Sequence, residues 1–264
     1  MKPRDFEASM RDLEYFHSVR LLPGAWTILR VDGRGFSRFT KTRFDKPFDP
    51  RFNAFMVQTA QTLLEELQGV YAYTESDEIS VLFRPDWDLF DRELEKLVSL
   101  SAGMASAIFT HACGEVAHFD SRVWLGTRRS LVIDYFRWRQ ADASRCALNG
   151  WCYWTLRQAG RSVKEATAAL EGKAIGDKNE ILFQHGINFN DLPAWQRRGV
   201  GLYWEEYDKE GYNPKEQRIA LTRRRRIKVD RDLPMRDAYS ELLRGILQEE
   251  AERPKDKPLE SRDA

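Results

Sequence analysis

The chain is poor in cysteine and lacks any long apolar run. Its 264 residues contain three cysteines, Cys113, Cys146 and Cys152, too few for a disulfide framework. No CxxC pair or Cys/His cluster points to zinc. His17, His111, His118 and His185 are scattered, with no Ser/His/Asp or Cys/His spacing. No stretch of about 18 apolar residues occurs, and Met1 to Glu7 has no apolar signal core. These absences predict a reduced, cytoplasmic protein without membrane contact. An excess of one charge is lacking too, since 42 Lys plus Arg face 41 Asp plus Glu. That balance says little about nucleic acid, because binding depends on where charge sits rather than on its sum. Apolar residues at 42% suffice for a core, and 31% charged residues predict a highly charged surface.

No internal repeat is present. Ala25 to Asp32 is rich in strand formers and ends in an acid before Gly33. Arg34 to Asp49 reads as a long polar loop, and Pro50 suits a helix start. Phe52, Phe55, Met56, Thr59, Leu63, Leu64 and Leu67 then form a helical stripe that Gly69 ends. Val70–Thr74 and Glu78–Phe83 read as two strands of a hairpin, Asp91–Ala112 as a helix and Ala117–Leu125 as a further strand. This strand-helix-strand-strand-helix-strand order is that of a ferredoxin-like α+β fold, in which the first and third strands are neighbours. Ile133 to His185 is helical by pattern, with breaks near Gly160 and Gly172 to Gly176. Val200–Tyr207 and Arg218–Val229 suggest a second hairpin connected through Asn213-Pro214, and Asp237–Glu250 a last helix. The tail from Arg253 has a disordered composition. Residues 1–132 are expected to form the core, 133–235 a helical region and basic hairpin packed on it, and 236–264 a terminal helix and tail.

Carboxylates gather where this order brings strand ends together. Asp32 ends the first strand, and Asp77 and Glu78 lie at the hairpin tip. Two such acids can hold two divalent ions about 4 Å apart, as in nucleotidyl transfer. Adjacent strand residues face opposite ways, so only one of Asp77 and Glu78 should join Asp32. We take Asp77, leaving Glu78 as its support. The plainer alternative is that these acids form turns on a solvated edge. Gly33-Arg34-Gly35-Phe36-Ser37-Arg38 can bring backbone N–H groups and guanidinium charge to a triphosphate, or form a simple turn. Lys46 and Asp49 in the same loop can meet a phosphate and a base respectively.

Gln217 to Lys228 carries Arg218, Arg223, Arg224, Arg225, Arg226 and Lys228 without an acid. In a strand these arginines point to both faces and can follow a phosphate backbone, unless they only keep an edge strand soluble. Phe136-Arg137-Trp138-Arg139-Gln140 interleaves aromatics with cations, which suits either RNA base stacking or an amphipathic helix with its rings in the core. Asp177 and Glu180 fit a helix N-cap and its capping box.

Together these residues resemble the tRNA-histidine guanylyltransferase family. Arg30 to Phe39, Phe44 to Asp49, Ser76-Asp77-Glu78, Phe119 to Arg122, Trp138 to Asp142 and Asp177 to Phe183 resemble its motifs in order. Ile187-Asn188 and the arginine-rich hairpin continue the likeness, which covers about residues 20 to 230. The resemblance implies a polymerase-type palm and nucleotide addition to the 5′ end of tRNA in the 3′–5′ direction. It implies two Mg2+ ions on Asp32, the Gly33 carbonyl and Asp77. Gly33, Arg34, Gly35, Phe36, Ser37 and Ser76 resemble triphosphate-binding positions. Lys46 and Asp49 resemble positions near the activating ATP or GTP. Arg139, Gln140, Asp142, Lys178 and Asn179 resemble positions that handle RNA, with Arg223 to Arg226 added from the hairpin. A homotetramer is also implied.

One departure bears on the reaction. The family's eukaryotic branch continues Arg-Gln-Ala-Asp with a hydrophobic residue or Cys and then His-Ile-Asn-Asn, whereas Ala143-Ser144-Arg145-Cys146-Ala147 follow Asp142 here, without the His or either Asn. That branch adds a non-templated guanosine to tRNA-histidine. The chain therefore resembles the guanylyltransferase-like branch, which implies templated repair of 5′-truncated tRNA with any NTP. The alternatives are guanosine addition to tRNA-histidine, a cyclase or 3′-end polymerase on the same palm, and an RNA-binding module without catalysis.

Overall fold

In the computed structural model, residues 3–213 and 218–252 are described. The tail from Arg253 and the Pro214 connection lie outside them. The fold is mixed α/β around one antiparallel six-stranded sheet among the described residues. Its strands are β1 (Trp26–Gly33), β2 (Tyr71–Glu75), β3 (Glu78–Phe83), β4 (Phe119–Gly126), β5 (Val200–Asn213) and β6 (Arg218–Asp230), in the order β4-β1-β3-β2-β5-β6. The expected adjacency of first and third strands is present, and β1 pairs with both β3 and β4.

Helices in chain order are α1 (Pro3–Arg11), α2 (Phe36–Thr40), α3 (Pro50–Glu66), α4 (Leu94–Cys113), α5 (Arg129–Gln158), α6 (Val163–Leu170), α7 (Ile175–Phe183), α8 (Ala194–Arg198) and α9 (Arg236–Glu252). Period-2 alternation sorts the strand residues between two cores. Leu29, Val31, Ile79 and Val81 join Met56, Leu63 and Leu64 of α3 and Leu97 and Phe109 of α4. Ile28, Leu82, Tyr71 and Tyr73 face Val132 and Phe136 of α5 and Tyr239 and Leu243 of α9. Helices on both faces leave the central strands no solvated side. That is why β3 is buried along its whole length and reads as apolar rather than alternating. A third cluster joins the far end of α5 to α6 and α7.

Several boundaries differ from expectation. The loop between β1 and α3 contains α2, because Phe36 is buried against Phe39, Phe109 and Phe119 at centroid distances of 5.1, 5.3 and 4.9 Å. Helix α4 starts three residues late because Phe90, Asp91 and Arg92 have φ of 52, 51 and 59°, which no α-helix continues through. Asp177 is not an N-cap. It sits inside α7 and accepts the Ala174 N–H at 3.2 Å, so the helix starts three residues earlier than expected. The second hairpin is longer than expected and adds to β2 through Val200–Tyr203, which makes it part of the central sheet.

Candidate active site at the β2–β3 turn

Ser76 and Asp77 form the whole turn between β2 and β3, with Ser76 held at φ 49°. That left-handed conformation costs a serine energy, and such strain concentrates at functional sites. The Asp77 carbonyl accepts the Gly33 N–H at 3.0 Å, tying the hairpin tip to the end of β1. Asp32 and Asp77 are thereby brought together, as the sequence predicts. Ser76 Oγ donates to Asp77 Oδ1 at 3.0 Å, which fixes the carboxylate orientation.

A cleft of about 470 Å3 opens at this turn. Phe36, Ser37, Lys46, Asp49, Ser76 and Asp77 line it, as expected, and Glu75, Tyr153, Trp154 and Trp195 join them. Lys46 Nζ donates to Thr40 Oγ1 at 2.6 Å. Burial lowers the Lys46 pKa, while Asp77 and Asp49 oppose the shift.

The acids here are held at a cost. Burial raises the Asp77 pKa and the neighbouring Asp32 carboxylate adds to it, with Ser76 and Lys46 pulling the other way. Asp32 is raised by burial and by Asp120, against Arg122 and Arg30. Glu75 is pushed up to about 8 by burial and by Glu78, with Arg139 opposing. Such crowding is relieved by a cation. Among the described residues, no group of three or more His, Cys, Asp or Glu side chains forms a cage for an ion. Mg2+ needs none, because it is commonly held by one or two carboxylates with water and substrate phosphate. Asp32 and Asp77 fit that donor set.

Several expected roles are redirected. Glu78 lies in β3 directly opposite Asp32 and shares its face, whereas Asp77 is in the turn, so strand alternation does not separate the two acids. Glu78 is instead occupied by Arg139, whose Nε and Nη2 donate to its two oxygens at 2.7 and 2.8 Å. Arg139, expected to touch RNA, is buried by this fork and also stands 3.6 Å from Glu75. Gln140 is buried too and donates to the Pro234 carbonyl at 2.9 Å. Asp142 accepts from Arg145 Nε at 3.0 Å and from Arg139 Nη2 at 3.3 Å. Arg139 and Asp142 therefore belong to the ion-pair network around Glu75 and Glu78, while Gln140 ties α5 to the segment before α9.

The N–H groups of Gly33 and Arg34 are not available to an anion, since they donate to the carbonyls of Asp77 and His118. Gly33 is required for another reason. A Cβ there would lie 2.4 Å from the Phe36 ring. Gly35 adopts φ 73° to begin α2, and the side chain of Arg34 is exposed. Asp49 does not present a free carboxylate to a base. It caps α3 through Arg51 N at 2.8 Å, accepts Asp45 N at 2.9 Å and pairs with the Arg51 guanidinium at 2.6 Å, which lowers its pKa to about 2. Lys178 and Asn179 lie on α7 and do not line the cleft.

The arginine run is acid-free only along the chain. Across the hairpin, Glu205, Glu206 and Asp208 stand opposite Arg226, Arg225 and Arg223. Arg226 Nε donates to Glu205 at 2.6 Å, Arg223 lies 3.4 Å from Glu206, and Arg225 pairs with Glu250 while covering the Trp204 ring. Arg224 stands opposite Tyr207 and has no acidic partner among the described residues. The charge expected to reach RNA is thus largely balanced within the protein, although the exposed guanidinium groups of Arg223 and Arg226 gain little from their pairs and can exchange them for phosphate, whereas the Arg225–Glu250 pair is mostly buried.

Asp32 does not line the cleft but stands beside Asp77, which does, with Lys46 at the same wall, and this layout suits a nucleotidyltransferase. Residues 7–127 match the family model described as tRNAHis guanylyltransferase, and residues 130–240 match the Thg1 C terminal domain. The chain belongs to the tRNAHis guanylyltransferase family. A probable tRNA(His) guanylyltransferase of Mus musculus is 35% identical over 201 residues, which are 71% of this chain and 67% of that protein. A solved structure of a bacterial tRNA(His) guanylyltransferase-like protein in complex with GTP aligns with a TM-score of 0.70 and 28% identity, covering 92% of this chain and 99% of that one. A bacterial tRNA(His) guanylyltransferase-like protein in complex with ATP aligns equally, at TM-score 0.70 and 27% identity, over 92% of this chain and 98% of that one. Among the described residues, no helix is long and apolar enough to cross a membrane.

Proposed function

We propose that the chain is a template-directed 3′–5′ nucleotidyltransferase that restores the 5′ end of truncated tRNA. In this reading the four strands β4-β1-β3-β2 with α3 and α4 are a ferredoxin-like palm within residues 1–132. Residues 133–235 add the helical region and hairpin, and 236–264 the last helix and tail. The protein works in the cytoplasm as a homotetramer, with ATP, GTP and other NTPs as substrates.

The residues in and beside the cleft have defined tasks. Asp32 and Asp77, with the Gly33 carbonyl, would hold two Mg2+ ions. When bound, those ions supply charge stabilisation at phosphorus and lower the pKa of an attacking hydroxyl. Lys46 neutralises phosphate charge at the cleft wall, where its own charge is penalised by burial and most needs an anion. Phe36 and Ser37 begin a helix whose first N–H groups have no intrahelical partner, so they can meet triphosphate oxygens. In the first step an oxygen of the RNA 5′-phosphate attacks the α-phosphorus of ATP or GTP, and pyrophosphate leaves. In the second, the 3′-hydroxyl of the incoming NTP attacks the activated 5′-phosphorus, and the nucleoside monophosphate leaves.

The observation that carries repair over guanosine addition is the stretch after Asp142. Ser144 Oγ donates to the Arg197 carbonyl at 2.6 Å and Arg145 pairs with Asp142, so both are engaged within the protein where the eukaryotic branch has His-Ile-Asn-Asn. Guanosine addition to tRNA-histidine is the second reading, favoured by the name of the mouse relative. The two separate with a tRNA lacking its first nucleotide, incubated with ATP, all four NTPs and Mg2+. Repair predicts that changing the opposing base changes the nucleotide added. Guanosine addition regardless of that base, or label arriving at the 3′ end, would overturn it.

A further inference from the structure

The stretch Phe136-Arg137-Trp138-Arg139-Gln140 divides between two environments. Phe136, Arg139 and Gln140 are buried, whereas Trp138 is 53% exposed and Arg137 beside it is exposed. Core packing accounts for Phe136 and not for an indole left half in water. The ring is nonetheless fixed in place. Tyr135 meets it edge-on at 5.8 Å and 77°, and the Tyr135 hydroxyl is hydrogen-bonded to Ser80 Oγ at 2.9 Å. The Arg139 guanidinium carbon lies 4.7 Å from the ring centroid while its nitrogens are locked onto Glu78. Arg30 stands 5.9 Å from the same centroid. Arg30 is two residues before Asp32 on one face of β1, a separation of about 7 Å. A rigid, cation-flanked indole thus stands in solvent beside the catalytic carboxylates.

We propose that Trp138 is a stacking platform for the terminal nucleobase of the RNA end. This rests on the nucleotidyl-transfer reading of the adjacent site. An indole held in one orientation has little freedom left to lose when a base stacks on it, and stacking is indifferent to base identity. That indifference suits an enzyme whose specificity comes from pairing. The surroundings favour RNA over a free nucleotide. From Arg137, α5 leads into a separate cleft of about 390 Å3 against α9, lined by Arg129, Arg137 and Arg244 with Asp134, Arg244 being paired with Glu241. A base on Trp138 and backbone phosphates in that cleft are contacts that one strand makes together.

The test is anisotropy binding of a 5′-monophosphorylated RNA stem with an open end, beside the same stem closed by loops at both ends. Trp138→Ala is expected to weaken binding of the open-ended RNA about tenfold or more, and Trp138→Phe to keep most of it. The closed RNA should bind all three proteins alike, and calorimetric GTP affinity should not change. Unchanged binding of open-ended RNA by Trp138→Ala overturns the proposal. So does an equal loss for open and closed RNA, and so does lost GTP affinity with RNA binding retained, which would assign the ring to the free nucleotide. None of these readouts requires nucleotide addition. A wild-type protein that binds open ends through Trp138 yet extends nothing would leave this inference standing and remove the repair reading.

Discussion

Asp32→Ala and Asp77→Ala should each reduce nucleotide addition on the order of 10³-fold or more, because each removes half of the carboxylate pair that would hold the metal ions. Stability should move the other way or not at all. Both carboxylates are raised by burial, and each also faces a neighbouring acid, Asp120 beside Asp32 and Asp32 beside Asp77. Removing either therefore relieves unfavourable charge in the metal-free protein, the usual exchange of stability for function at an active site. Activity and thermal unfolding measured on the same preparations check both halves. A variant that retains full activity would remove its aspartate from the metal site. One that loses activity only by unfolding would show that the acid is structural.

The largest stability loss is expected at Arg139. Its fork satisfies both oxygens of buried Glu78, and Glu75 and Asp142 are within 3.6 and 3.3 Å. Arg139→Met leaves these acids without their shared counter-charge, and breaking a buried pair of this kind costs about 3–5 kcal/mol. The double variant Arg139→Met/Glu78→Gln should recover part of the loss, because the stranded charge is gone. Urea unfolding of wild type, single and double variants measures this. A single variant as stable as wild type would mean that water already reaches these carboxylates. Failure of the second substitution to rescue would place the cost in packing rather than in charge.

Much of the site was legible because it depends on local signals. An apolar strand ending Asp32-Gly33 and a hairpin tip at Ser76-Asp77 are short-range patterns, and the strand order that joins them follows from periodicity. What was missed depends on contacts distant in the chain. Arg139 reaches Glu78 from 61 residues away, and nothing in Arg-Gln-Ala-Asp distinguishes a buried fork from an RNA contact. Glu75 closes β2, and its pKa is raised by burial and by Glu78 against Arg139, an environment that the chain assembles only on folding. The arginine run looked unbalanced because its acids lie on the facing strand, where register rather than proximity in sequence puts Glu205 beside Arg226. Asp49 is a different case. An aspartate directly before Pro50 at a helix start is a capping signal that composition alone provides, and the phosphate-and-base reading of the loop obscured it.

Asp32 and Asp77 together are expected to make the region of the β2–β3 turn a metal-dependent nucleotide site. Calorimetric titration of GTP with and without Mg2+, in wild type and in the Asp32→Ala/Asp77→Ala protein, tests it directly. The account predicts that Mg2+ strengthens GTP binding to the wild type and has no such effect on the double variant. GTP binding that is equally tight with and without Mg2+, or a Mg2+ response that survives loss of both aspartates, would contradict it.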